Sequence, residues 1–175
     1  MDKLIAILTP PETPHKPGSV EEWREAAEQL GTDLPADYKE FLRIYGTGGV
    51  GDFLWILTPF DPDVNINLSI RQRELCEAYL VSKTNFPEYY PYEAYPAPGG
   101  LLPWAYTDNG DELYWLTEGP PDQWTVVVYE SRSPDCHVYP VRMTDFLYGF
   151  LSGETPCEAF PDDFPDEDTA YISVE

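Results

Sequence analysis

Basic residues are scarce in this chain: ten Lys and Arg stand against 32 Asp and Glu in 175 residues, a net charge of −22. The eight acids from residue 154 onward meet no base, yet the other 24 still outnumber the ten bases, so the excess belongs to the folded part as well as the tail. A field of that sign repels nucleic-acid phosphates and anionic membrane surfaces, which argues against direct binding to either. It also speeds encounter with a basic partner at low salt, while the plainer use of the same acids is solubility. Histidine is nearly absent, with only His15 and His137. Cys136 and His137 are adjacent on an extended segment and so point to opposite faces, which is no metal-ligand set, and neither a metal nor a cofactor is expected. So few histidines leave little choice of nucleophile–base pairs, and carboxylate pairs prove nothing in so acidic a chain; the reading is non-catalytic. Three widely spaced cysteines, Cys76, Cys136 and Cys157, are too few and odd in number for a disulfide framework, and the reducing cytoplasm is the expected compartment. No apolar run approaches the about 20 residues that cross a bilayer. The opening MDKLIAILTPP breaks at Pro10-Pro11, too short for a secretory signal, and reads as an edge strand or docked arm.

Against these absences, residues 19 to 51 are dense with local signals. Ser19 followed by Glu22 is a capping box, and Trp23, Ala26, Ala27 and Leu30 then recur on a helical period up to Gly31. Pro35 suits the start of a second helix, on which Tyr38, Phe41, Leu42 and Tyr45 repeat the stripe before Gly46. The next residues, Gly46-Thr47-Gly48-Gly49-Val50-Gly51, fit the dinucleotide pattern G-x-G-x-x-G literally. That fingerprint needs a strand before it and a helix after it, whereas here a helix precedes and a strand follows. The glycines therefore read as caps and turns.

Further on, Asp52 to Leu57 reads as a buried strand, and Asn67 or Ser69 as the cap of a helix running to about Ser82. Residues 84 to 100, rich in Pro and Tyr, read as an ordered loop covering the sheet with its rings, with a partner-contacting surface as the alternative. A meander follows: 102–107, an Asn109-Gly110 turn, 112–117, 124–130 and 136–139. Thr144 reads as the cap of a last helix to Leu151. The acid- and proline-rich segment 154–175 is expected to be largely unstructured, with Phe160, Phe164 and Tyr171 able to dock it. The sum is an α+β fold, one mostly antiparallel sheet packed against helices 19–30, 35–45, 67–82 and 144–152. An N-terminal arm (1–18) precedes the domain (19–153) and an acidic tail (154–175) follows it.

The series Trp23, Leu30-Gly31, Leu34-Pro35, Asp37-Tyr38-Lys39, Phe41-Leu42 and Tyr45-Gly46-x-Gly48 resembles the N-terminal pattern of the SUKH superfamily, the Smi/Knr-type proteins that also include Syd. The resemblance continues through Leu57-x-Pro59, Leu102, Trp104, Asn109-Gly110-Asp111, Tyr114-Trp115-Leu116 and Phe146-Leu147…Leu151, about residues 19 to 152. It implies an immunity protein that binds and neutralises a cognate polymorphic toxin, often a nuclease and therefore basic, or alternatively a regulatory scaffold acting through protein contacts. Asp52, Asp61, Asp63, Asp108, Asp111, Glu112, Glu118 and Asp122, with Trp115 beside them, are the candidate partner-binding residues, although each acid alone also suits a solvated turn.

Overall fold

In the computed structural model, which describes residues 1–174, the chain folds around one seven-stranded sheet. The meander is present as β3 (Leu101–Thr107), β4 (Glu112–Leu116), β5 (Thr125–Tyr129) and β6 (Cys136–Tyr139). It is extended by β2 (Leu54–Ile56), β1 (Gly48–Val50) and β7 (Tyr171–Ser173) in the order β6-β5-β4-β3-β2-β1-β7, with every neighbouring pair antiparallel. The helices are α1 (Asp2–Ile7), α2 (Val20–Leu30), α3 (Ala36–Tyr45), α4 (Leu68–Asn85) and α5 (Met143–Leu151). The architecture is α+β, as the sequence leads one to expect.

The local signals act as read. Ser19 Oγ accepts the Glu22 N–H, Glu22 Oε2 accepts the Ser19 N–H at 2.8 Å, and Gly31 ends α2 in the left-handed conformation. Asn67 caps α4 by accepting the Ile70 N–H.

Side chains alternate across the strands. Leu102, Leu113, Trp115, Val126 and Val128 face a large core closed by α1, α3 and α5, whereas Leu101, Tyr114, Val127 and Tyr129 face α4 and the 86–100 loop. A bulge between Pro103 and Ala105 lets Trp104 and Ala105 both turn to the larger core. Buried tyrosines tie that core to the backbone: Tyr38 donates to the Leu57 carbonyl and Tyr45 to the Leu8 carbonyl, each at 2.6 Å. Burial pushes the Tyr38 phenol well above its usual pKa and that of Tyr45 up to about 12.

Four expectations are corrected. The opening segment is a helix, α1, with Leu4 and Leu8 buried, rather than a strand. Gly48 and Gly49 form a strand instead of a turn, because β2 and β7 approach too closely for a side chain: a Cβ on Gly48 collides with the Ile172 carbonyl, and one on Gly49 lies 2.7 Å from the Leu54 carbonyl. The acidic segment beyond 154 is docked. Cys157 and Phe160 are buried, Phe164 stacks near Phe53, and β7 pairs with β1 while the Tyr171 hydroxyl donates to the Gly46 carbonyl at 2.7 Å. Finally, Thr144 is not a cap: α5 begins after Arg142, and the Thr144 N–H and Oγ1 both donate to Asp37 Oδ2 at 3.0 Å.

Candidate functional site

Strand directions sort the acidic candidates into two groups. The turns 51–53, 108–111 and 131–135 share one end of the sheet. The β2–α4 loop and the 117–124 connection leave from the other. Asp52, Asp108, Asp111 and Glu112 thus lie at one end, while Asp61, Asp63, Glu118 and Asp122 lie in connections from the other. They do not form a single face.

Several of them are engaged with the backbone. Asp111 is 2 % exposed and staples two turns, accepting from Thr107 Oγ1 at 2.6 Å and from the Ser131 N–H at 2.8 Å. Asp61 is 5 % exposed, pairs with Lys16 at 2.7 Å and accepts the Asp63 N–H. Burial pulls the Asp61 carboxyl up, but Lys16 and that N–H hold it below the usual value. Asp63 accepts from the Asn65 N–H and amide within its own loop. Asp122 accepts the Ala36 N–H at 2.7 Å, satisfying an orphan donor at the start of α3 from 86 residues away. Trp115 is fully buried against Tyr38, with ring centroids 5.0 Å apart, so it cannot touch a partner. Among the candidates, Asp111, Asp61 and Trp115 are therefore structural. Glu112 is half-buried and faces α4 rather than the sheet end.

Asp52, Asp63, Asp108, Glu118 and Asp122 remain exposed. Asp52 holds φ +50° next to Gly51 in the β1–β2 turn, and Asp108 accepts from Trp55 Nε1 at 2.7 Å. The docked tail adds to this end what sequence reading missed. The Gly51 N–H donates to the Ala170 carbonyl, which brings exposed Asp166, Glu167 and Asp168 beside the β1–β2 turn. Asp135 is exposed in the β5–β6 turn. The signal for this gathering is a long-range strand pairing that no local pattern announces.

The cations do not neutralise this end. Seven of the ten Lys and Arg are paired with carboxylates of the same chain, three of them with a carboxylate of their own helix. Arg132 is the only Lys or Arg within the three turns and residues 166–170. The arrangement leaves a strongly acidic surface at this end of the sheet. Among the described residues, no group of three or more His, Cys, Asp or Glu is placed to hold a metal ion, and the three cysteines are free. Among the described residues, no helix is long and apolar enough to cross a membrane.

Comparison with known proteins agrees with the fold and its sequence pattern. The model of the SUKH_6 family, described as SMI1-KNR4 cell-wall, matches residues 20–147, from the first turn of α2 into α5. Neither a curated protein nor a solved structure matches the chain. The matched span contains the stripe of α2 and α3, the glycine strand and the whole meander, and the chain belongs to the SUKH superfamily, in its SMI1-KNR4 family.

Proposed function

We propose that the protein is a non-catalytic immunity protein of the cytoplasm that binds and neutralises a basic, nuclease-type toxin. The observation that carries this reading is the unneutralised acidic end of the sheet: Asp52, Asp108, Asp135 and Asp166–Asp168 on a chain of charge −22 whose cations are largely engaged internally. A nuclease presents a basic cleft to phosphates, and a surface of this sign complements it in field and in encounter rate. Occlusion of that cleft requires no chemistry from the inhibitor.

Titrating the purified chain with a toxin domain encoded beside it, across a salt series, tests the reading. Tight binding at low salt, weakened about tenfold or more when Asp52 and Asp108 become Asn and Glu167 and Asp168 become Gln and Asn, supports it. Binding indifferent to both salt and neutralisation, or no binding to any basic domain, refutes it. The description of the matching family as cell-wall related favours a second reading, a regulatory scaffold; recovery of several unrelated partners in place of one would favour that reading.

A further inference from the structure

On the α4 side of the sheet the protein leaves an open cleft of about 510 Å³ between the C-terminal half of α4 with residues 86–90 and the ends of β4 and β5 with the 130–134 turn. Its walls are aromatic. Tyr90 and Tyr129 stack in parallel, centroids 5.5 Å apart at 2°, and Tyr79 meets both edge-on at 5.3 and 5.4 Å. Phe86 and Tyr89 stand at the mouth, 55 % and 48 % exposed, an unusual position for two large aromatic side chains.

Set among these rings is Glu112. Its carboxylate accepts the Tyr114 hydroxyl, and among the described residues no Lys, Arg or His forms an ion pair with it. Burial pushes the Glu112 carboxyl above its usual value, although the Tyr114 hydroxyl and the positive charge of Arg71 pull it back. Ring faces carry negative potential, and a cation over them is attracted most strongly where water is excluded. Rings and a half-buried carboxylate in one cleft are complementary to a cation. Among protein cations, arginine suits the pair best: its planar guanidinium stacks on rings, forks onto a carboxylate and is weakly hydrated. Arg132, the one cation lining the cleft, is exposed, and Glu130 lines the same wall and opposes its charge.

We propose that this cleft receives an arginine side chain of a basic protein partner, with Phe86, Tyr89 and Tyr90 at its mouth supplying the rings and Glu112 the counter-charge, while Tyr79 and Tyr129 form the buried floor. The proposal rests on the immunity reading for the identity of the partner and adds an anchor to it, in a cleft whose rim includes Gly110 and the 130–134 turn of the acidic end. A buried aromatic–Arg contact of this kind is the type of group that dominates an interface, while rim charges set the rate of encounter.

The test uses the full chain in two arms. In the first, the tyrosine ring resonances are followed while an acetylated, amidated Gly-Arg-Gly peptide is added, and the same peptide with citrulline serves as the neutral isostere. Perturbation of the Tyr89 and Tyr90 rings by the arginine peptide alone, with affinity lowered about tenfold or more by Glu112→Gln, is the expected result. Equal response to both peptides, or unchanged affinity in Glu112→Gln, overturns it. In the second arm the toxin domain is titrated against Glu112→Gln and Tyr90→Ala, each first shown to melt cooperatively. Wild-type affinity in both variants sinks the cleft and leaves the immunity reading standing. A specific arginine-peptide response with no basic toxin bound has the opposite outcome, upholding the cleft and removing the immunity reading.

Discussion

The two faces of the sheet are built from alternate residues of the same strands, yet they differ in kind. Toward α3 and α5, Trp104, Trp115, Tyr38 and Phe146 pack ring against ring, with centroids 5.0 to 6.3 Å apart. Toward α4, the rings are tyrosines whose hydroxyls are in use. Tyr79 and Tyr129 share a hydrogen bond at 3.2 Å, and Tyr114 donates to Glu112. Burial raises the Tyr79 pKa to about 12 and pushes the Tyr129 and Tyr114 phenols well above their usual value, so these hydroxyls stay protonated throughout the physiological range. One face is closed and apolar, and the other is polar and opens into a cleft. The period-two alternation lets a single set of strands build a closed core on one side and an open, polar cleft on the other.

The sharpest way to break this contrast is Trp115→Ala. Trp115 is fully buried and touches Tyr38, Trp104 and Trp124, so removing it is expected to cost about 3–5 kcal/mol in chemical denaturation, a loss large enough to unfold a marginal domain. Asp37→Ala comes next. Asp37 Oδ2 accepts both the N–H and Oγ1 of Thr144, fastening α5 to α3 within the closed layer, and its loss leaves a buried helix donor unpaired. A drop of about 1–3 kcal/mol is expected, with faster amide exchange concentrated in α5. On the open face, Tyr90→Ala removes one half of a stack from a half-buried loop and is expected to cost only about 0.5–1.5 kcal/mol. If Tyr90→Ala proved as damaging as Trp115→Ala, the two faces would be equivalent cores.

The elements legible in the sequence are those whose causes are local. The Ser19–Glu22 box, the Gly31 and Gly46 helix ends, the Asn67 cap and the Asn109-Gly110 turn each act within a few residues. The illegible ones depend on pairing across the chain. Gly48-Gly49-Val50 has poor strand propensity, and only the close approach of β2 and β7 makes it a strand. The tail is too acidic and proline-rich to read as ordered, and although Phe160, Phe164 and Tyr171 are legible as its anchors, the core they find is prepared by residues more than a hundred positions earlier. The candidate site fares likewise. Composition points to an acidic surface, but it does not tell Asp52, which faces solvent, from Asp122, which caps α3, or Asp111, which staples turns. Alternation separates Trp115 from Tyr114 without saying which face is closed. The tyrosine cleft needs α4 laid across the sheet before its parts, 79, 90, 112 and 129, meet.

Two conservative changes with smaller effects sharpen the comparison through the sign of their pH dependence. Asp61, paired with Lys16, has a folded pKa below its unfolded value, so its contribution is present above the unfolded value and is lost as pH falls through the folded one. Asp61→Asn is therefore expected to lower the melting temperature at pH 7, with the gap narrowing on acidification. Glu112 has the opposite sign. Its folded pKa is raised, so the neutral form stabilises the fold below the unfolded value, and that stability is lost as pH rises through the folded value. Gln is neutral at every pH and of similar shape, and it still accepts from Tyr114. Glu112→Gln is then expected to raise the melting temperature slightly at pH 7 and to match the wild type in acid, below the ordinary carboxylate value of about 4.3. The measurement is a pair of melting curves across pH 3.5 to 7.5. A destabilised Glu112→Gln at neutral pH would mean that the carboxylate is already compensated inside the chain, and the cleft would have no unmet charge to offer an incoming cation.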